Sequence, residues 1–87
     1  MENKILIKVN LPEIELSYDV SIPVNELLWK VKKMIIKAIS DLSGLNMNEQ
    51  EYIMINRDNG YIYGNNQIII DTDIRNATEL YLISIKK

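Results

Sequence analysis

Residues 23–44 read PVNELLWKVKKMIIKAISDLSG, and the spacing of their apolar side chains decides the fold. Val24, Leu27, Leu28, Val31, Met34, Ile35, Ala38, Ile39 and Leu42 recur at i, i+3, i+4 and i+7, the period of a helix that buries one face. Pro23 suits the first turn, where a proline sacrifices no intrahelical hydrogen bond. Ser43-Gly44 closes the segment, with the glycine fit for a left-handed cap. Trp29 and Ile36 break the pattern. At about 100° per residue they fall far from the centre of the apolar stripe, seven residues apart, flanked by Lys32, Lys33 and Ser40.

Outward from this helix the period changes to two. Ile5, Ile7 and Val9 alternate with Leu6 and Lys8, and Ile14, Leu16, Tyr18 and Val20 alternate with Glu13, Glu15, Ser17 and Asp19. Asn10-Leu11-Pro12 makes the turn of an antiparallel hairpin between strands at 5–9 and 13–20. On the far side, LNMNEQ forms a polar loop that tucks Leu45 and Met47 under the fold. A strand at 52–57 then turns through Asp58-Asn59-Gly60 into a short strand at 61–63, since Asn-Gly is a strong hairpin signal. After the turn-rich DTDIRNAT, residues 79–85 form a last strand.

The order β-β-α-β-β-β predicts an α+β fold, a mixed sheet with one long helix across one face. With the last strand parallel to the first at the sheet centre, that arrangement is the β-grasp, or ubiquitin-like, fold. One domain over residues 1–87 is expected, because neither a linker nor a repeat interrupts the pattern.

Composition narrows the chemistry. The 87 residues contain no Cys and no His, which removes disulfides, thiolate nucleophiles, zinc-thiolate sites and the commonest general base. Ten basic and twelve acidic side chains leave a net charge of −2 with the signs interspersed, so no basic field for a phosphate backbone is expected. The start, MENKILIKV, has no apolar signal core, and no run approaches the roughly 20 residues of a membrane span. A cytoplasmic protein without membrane insertion is expected. Phe is absent, so a 47% hydrophobic chain must build its core from Ile, Leu, Val, Met and Tyr.

Two segments resemble a known family. YIMINRDNGYIYGNNQIIIDTDIRNATELYLISI is similar to the second half of ubiquitin-like proteins, with Ile70, Asp71, Ile74, Leu80 and Leu82 at their pattern positions. IPVNELLWKVKKMI resembles the Pro-Val/Ile-x-x-Leu-Leu helix start of the YukD/EsaB group. These are small ubiquitin-like proteins associated with type VII (WXG100) secretion systems of Gram-positive bacteria. The resemblance implies a docking protein without enzymatic activity or cofactor. Ubiquitin-type modifiers end in Gly-Gly, whereas this chain ends Ser84-Ile85-Lys86-Lys87. Conjugation and sulfur carriage are therefore not expected.

Two surfaces are candidates for partner binding. The first is the Trp29 and Ile36 stripe with Lys33 at its rim, a composition typical of interface anchors. The alternative is that Trp29 folds down against the 45–50 loop or a neighbouring sheet edge. The second is the outer sheet face. If Ile5, Ile7, Val9, Ile53, Ile55, Leu80 and Leu82 face the helix, then Leu6, Tyr52, Met54, Tyr81 and Ile83 form one apolar patch outside. The alternative for such a patch is self-association of two copies of the chain as a homodimer. Asp71-Thr72-Asp73 is too sparse for a calcium site and suits turn capping instead. Lys30, Lys32, Lys33 and Lys37 spread widely around the helix, as on a solvated face. No metal or nucleic-acid site is expected. The reading as a whole is a non-conjugated adaptor that binds a protein partner, which the resemblance places in the secretion machinery.

Overall fold

The computed structural model describes residues 3–47 and 51–85. Strand β1 (Lys4–Leu11) turns back into β2 (Leu16–Pro23), pairing Lys4 with Pro23 and Leu11 with Leu16. Helix α1 (Leu28–Ser43), strand β3 (Glu51–Asn56), a single 3-10 turn (Ile69–Asp71) and strand β4 (Glu79–Ile85) follow. The sheet order is β2-β1-β4-β3. β4 lies parallel to β1, with Leu80 opposite Val9, and antiparallel to β3, with Leu82 opposite Met54. A mixed sheet with one helix across one face, first and last strands parallel at its centre, is the β-grasp architecture. The core is one cluster, with Ile7, Val9, Leu80 and Leu82 of the central strands packed under Leu28, Val31, Ile35 and Ile39 of the helix. Each such burial contributes about 1.5–3 kcal/mol.

The first hairpin is shifted from its predicted position. Residues 12–15 form the turn, and Glu15 takes a positive φ of 54°. Glu13 leaves the strand because its carboxylate accepts hydrogen bonds from the Ser84 N–H (2.8 Å) and hydroxyl, closing the end of β4. Pro23 ends β2 instead of opening the helix. It sits on an edge strand, where a missing donor is tolerated.

The helix starts at Leu28 without a capping side chain. Its first turn is satisfied from a distance: the Leu28 N–H donates to Gln67 O (2.8 Å) and the Trp29 N–H to Asn65 O (3.2 Å). Gly44 closes the helix at φ 76°, its N–H donating to Ser40 O at 3.0 Å. A Cβ there meets nothing within 4 Å, so the cost of a side chain is the left-handed backbone alone. Gly44→Ala is expected to lower the unfolding free energy by about 1 kcal/mol in urea titration.

The buried face of α1 is rotated by about 40° from the predicted stripe, towards Lys32 and Ile36. Met34 and Leu42 are exposed, and Ile36 packs partly on the core. Leu45 is also exposed, whereas Met47 is buried as expected.

Strand β3 has the opposite phase to the one predicted. Met54 is 1% exposed and faces the helix with Asn56, while Ile53 and Ile55 lie on the outer face. Directly opposed residues share a face, and Met54 and Asn56 oppose the buried Leu82 and Leu80. The predicted strand at 61–63 reduces to one antiparallel bridge between Ile55 and Ile62. Within the turn before it, Gly60 has a positive φ (73°) and Asn59 does not, so the tip is longer than a two-residue turn. Among the described residues no helix is long and apolar enough to cross a membrane.

Candidate docking surfaces

The rotation of α1 sets its Trp29 and Ile36 flank beside the start of the edge strand β3. Between them lies a groove of about 470 Å³, walled by Trp29, Lys32, Lys33 and Ile36 on one side and by Glu51 and Tyr52 on the other. Of the residues nominated from sequence, Trp29, Lys33, Ile36 and Tyr52 meet here. Tyr52, expected on the outer face, instead packs partly against the core at the groove floor. The alternative that sets Trp29 beside a sheet edge fits this arrangement, yet the residue is 37% exposed. Lys30 Nζ and Lys33 Nζ lie 5.6 and 5.4 Å from the Trp29 ring centroid, within cation–π range.

Lys32, which the sequence places only at the flank of the stripe, is drawn into the groove by the fold. Its ammonium donates to the Tyr52 carbonyl at 2.9 Å. Burial pushes its pKa below the ordinary lysine value, with Glu51 nearby acting in the opposite direction. Burial, helped by Glu13, likewise raises the Tyr52 hydroxyl. A lysine at i+3 from Trp29 and i−4 from Ile36 was the available signal, but only the β3 edge gives it a partner.

The outer sheet face is less continuous than predicted. Met54 is absent from it because that side chain is core. Tyr81 and Ile83 are joined by Ile53, Ile55 and the exposed Ile62, which the inverted phase of β3 places there. Leu6 is exposed but separated from them by the Lys8–Glu79 rung and the 2.9 Å ion pair of Arg57 with Glu79.

Asp71-Thr72-Asp73 performs turn chemistry, with more reach than predicted. Thr72 Oγ1 donates to Ile69 O (2.6 Å) and accepts from the Ile74 N–H (3.1 Å). Asp73 accepts the Tyr63 hydroxyl proton through one oxygen and the Asn59 amide, at 3.0 Å, through the other. Tyr63 in turn accepts from Asn56 Nδ2 at 3.0 Å. These bonds fasten the β3 turn to the loop beyond the 3-10 turn. Among the described residues no group of three or more His, Cys, Asp or Glu side chains could hold a metal ion.

No protein-family model matches the sequence, and no curated protein matches it. Solved structures do match the fold. A chain of the toluene 4-monooxygenase HD complex with the inhibitor 4-bromobenzoate is similar at a TM-score of 0.76 and 7% identity, over 94% of this chain and 99% of that one. A chain of the MycP5-free ESX-5 inner membrane complex gives 0.70 and 13%, with 98% of this chain matching 22% of that one. The N-terminal ubiquitin-like domain of the 4931431F19Rik protein gives 0.70 and 15%, over 100% of this chain and 80% of that one. At these identities the likeness establishes the fold, and it includes a ubiquitin-like domain.

Proposed function

We propose that this chain is a non-enzymatic, non-conjugated ubiquitin-like adaptor of the YukD/EsaB kind, one domain that docks on a component of a type VII secretion system. The observation that carries the reading is the groove between α1 and β3. It gathers an open tryptophan, a tyrosine and an isoleucine with lysines at the rim, the anchor-and-rim composition of protein interfaces. The fold likeness to part of an ESX-5 inner membrane complex chain supports the choice of partner class.

The test is binding of purified inner-membrane-complex subunits of such a system to wild type, Trp29→Ala and Ile83→Asp. Trp29→Ala is expected to weaken binding about tenfold or more, as for a central aromatic anchor, with Ile83→Asp close to wild type. Full affinity in Trp29→Ala would remove the groove from consideration. A second reading is self-association through Ile53, Ile55, Ile62, Tyr81 and Ile83 on the outer face, a grouping typical of interaction sites. Concentration-dependent mass in light scattering, abolished by Ile83→Asp, would favour it.

A further inference from the structure

We propose that the α1–β3 groove receives an extended, acidic and apolar segment of a partner protein, laid against β3 at Tyr52 with a carboxylate on Lys33. This rests on the docking reading above and specifies the chemistry of what docks.

Charge is the first support. The chain carries a net −2, yet the helix wall of the groove presents Lys32 and Lys33, with Lys30 on the same tryptophan ring. Lys30 has Glu26 at 3.8 Å, and Lys32 has the Tyr52 carbonyl and the field of Glu51. Lys33 Nζ lies over the Trp29 ring, 5.4 Å from its centroid, at an exposed position. An incoming carboxylate adds charge pairing to that contact.

The sheet edge is the second. Along β3, Met54 O accepts from the Tyr63 N–H (3.0 Å) and the Asn56 N–H donates to Tyr61 O (2.9 Å), so the 61–63 segment closes that end. The next carbonyl on the same edge, that of Tyr52, is held by a side chain instead of a strand. A lysine is a common guard of such an edge and sits on a flexible stem. A backbone N–H of an added strand can take its place, while the released ammonium turns to a carboxylate of the same segment. Strand addition of this kind draws affinity from the main chain and specificity from alternate side chains. The groove volume of about 470 Å³ falls within the roughly 300–1,000 Å³ of clefts that enclose small ligands. It accommodates a few side chains of an extended segment.

The experiment sorts a displayed library of short random segments against the full chain, then measures synthetic copies of the enriched segments by Trp29 emission. Enriched segments are expected to interleave Asp or Glu with apolar residues. Lys33→Glu is expected to weaken them about tenfold or more, and Lys33→Arg to retain them within about threefold. Position 33 is exposed, and a thermal melt verifies that both variants keep the fold. Absence of enrichment, enrichment of basic or uncharged segments, or undiminished binding in Lys33→Glu would overturn the proposal. Tighter binding of a thymidine oligonucleotide than of any segment would overturn it in favour of nucleic acid. Secretion subunits that fail to bind while acidic segments bind overturn the secretion reading alone. Subunits that bind Lys33→Glu unimpaired overturn the acidic segment alone.

Discussion

Met54→Asp is expected to leave the chain unfolded at 25 °C, while Ile53→Asp, one residue earlier on the same strand, folds. Met54 is 1% exposed and opposes Leu82 across the β3–β4 pair. Truncating a buried methionine costs about 2–5 kcal/mol, and burying an unpaired carboxylate adds several more. At about 0.05–0.15 kcal/mol per residue, 87 residues hold roughly 4–13 kcal/mol in all. The substitution consumes most or all of that. Ile53 is half-buried on the opposite face, where a charge meets water and costs about 1–2 kcal/mol. Far-UV circular dichroism and urea titration of the pair check the result. A native melt for Met54→Asp would mean that β3 has the other phase.

Tyr63 is expected to make the fold sensitive to alkali. The residue is 4% exposed, and its hydroxyl donates to Asp73 and accepts from Asn56. Burial pushes the hydroxyl up to about 12, the hydrogen bond to Asp73 pushes the same way, and the Asn56 amide opposes them. An unfolded tyrosine titrates near 10. The folded state therefore holds a proton that the unfolded state releases, so the contribution is complete below pH 10 and is lost as pH rises towards 12. With the hydroxyl only partly buried, the loss is about 2 kcal/mol. Tyr63→Phe abolishes this step and costs about 1–2 kcal/mol at pH 7, because Asn56 Nδ2 and Asp73 lose their partner. Urea midpoints at pH 7, 10 and 12 for wild type and Tyr63→Phe check both parts. Equal alkaline losses in the two proteins would assign the effect to other groups. At the acid end, the Tyr63 hydrogen bond holds the Asp73 carboxyl below its ordinary range. That contribution is present above pH 4 and lost as pH falls through the depressed value. It is small, since Asp73 is exposed.

The β-grasp was legible because its signals are local: a period of two, then 3.6, then two again, punctuated by Gly44 and Gly60. What failed was phase. Tyr52-Ile-Met-Ile has no polar residue to mark a face, so its direction is set by pairing with β4, a contact that no local pattern encodes. Asn56 offered a clue. Its side-chain oxygen accepts from the Asp58 and Asn59 N–H groups while its amide reaches Tyr63, so a polar residue occupies the inner face with its bonds satisfied. The stripe of α1 misled for a similar reason. Met34 and Ala38 satisfy the helical period and Ile36 does not, and only the position of the edge strand selects the Ile36 side. Trp29 and Ile36 were visible as anomalies from spacing alone. That Tyr52 and Lys32 join them depends on tertiary placement.

The borrowed hydrogen bonds at the start of α1 have a kinetic meaning. The Leu28 and Trp29 amides find their acceptors about forty residues further along the chain, so the first helical turn is secured only when a long loop closes. The later turns of α1 have partners within the helix and can form on their own; the turn bearing Trp29 waits for the second half of the molecule. Contacts of this sequence separation are slow to form. During synthesis the groove wall is thus incomplete until residues 65–67 have emerged and folded back. The setting of Trp29 is thereby tied to the closure of that loop, not to the formation of the helix alone.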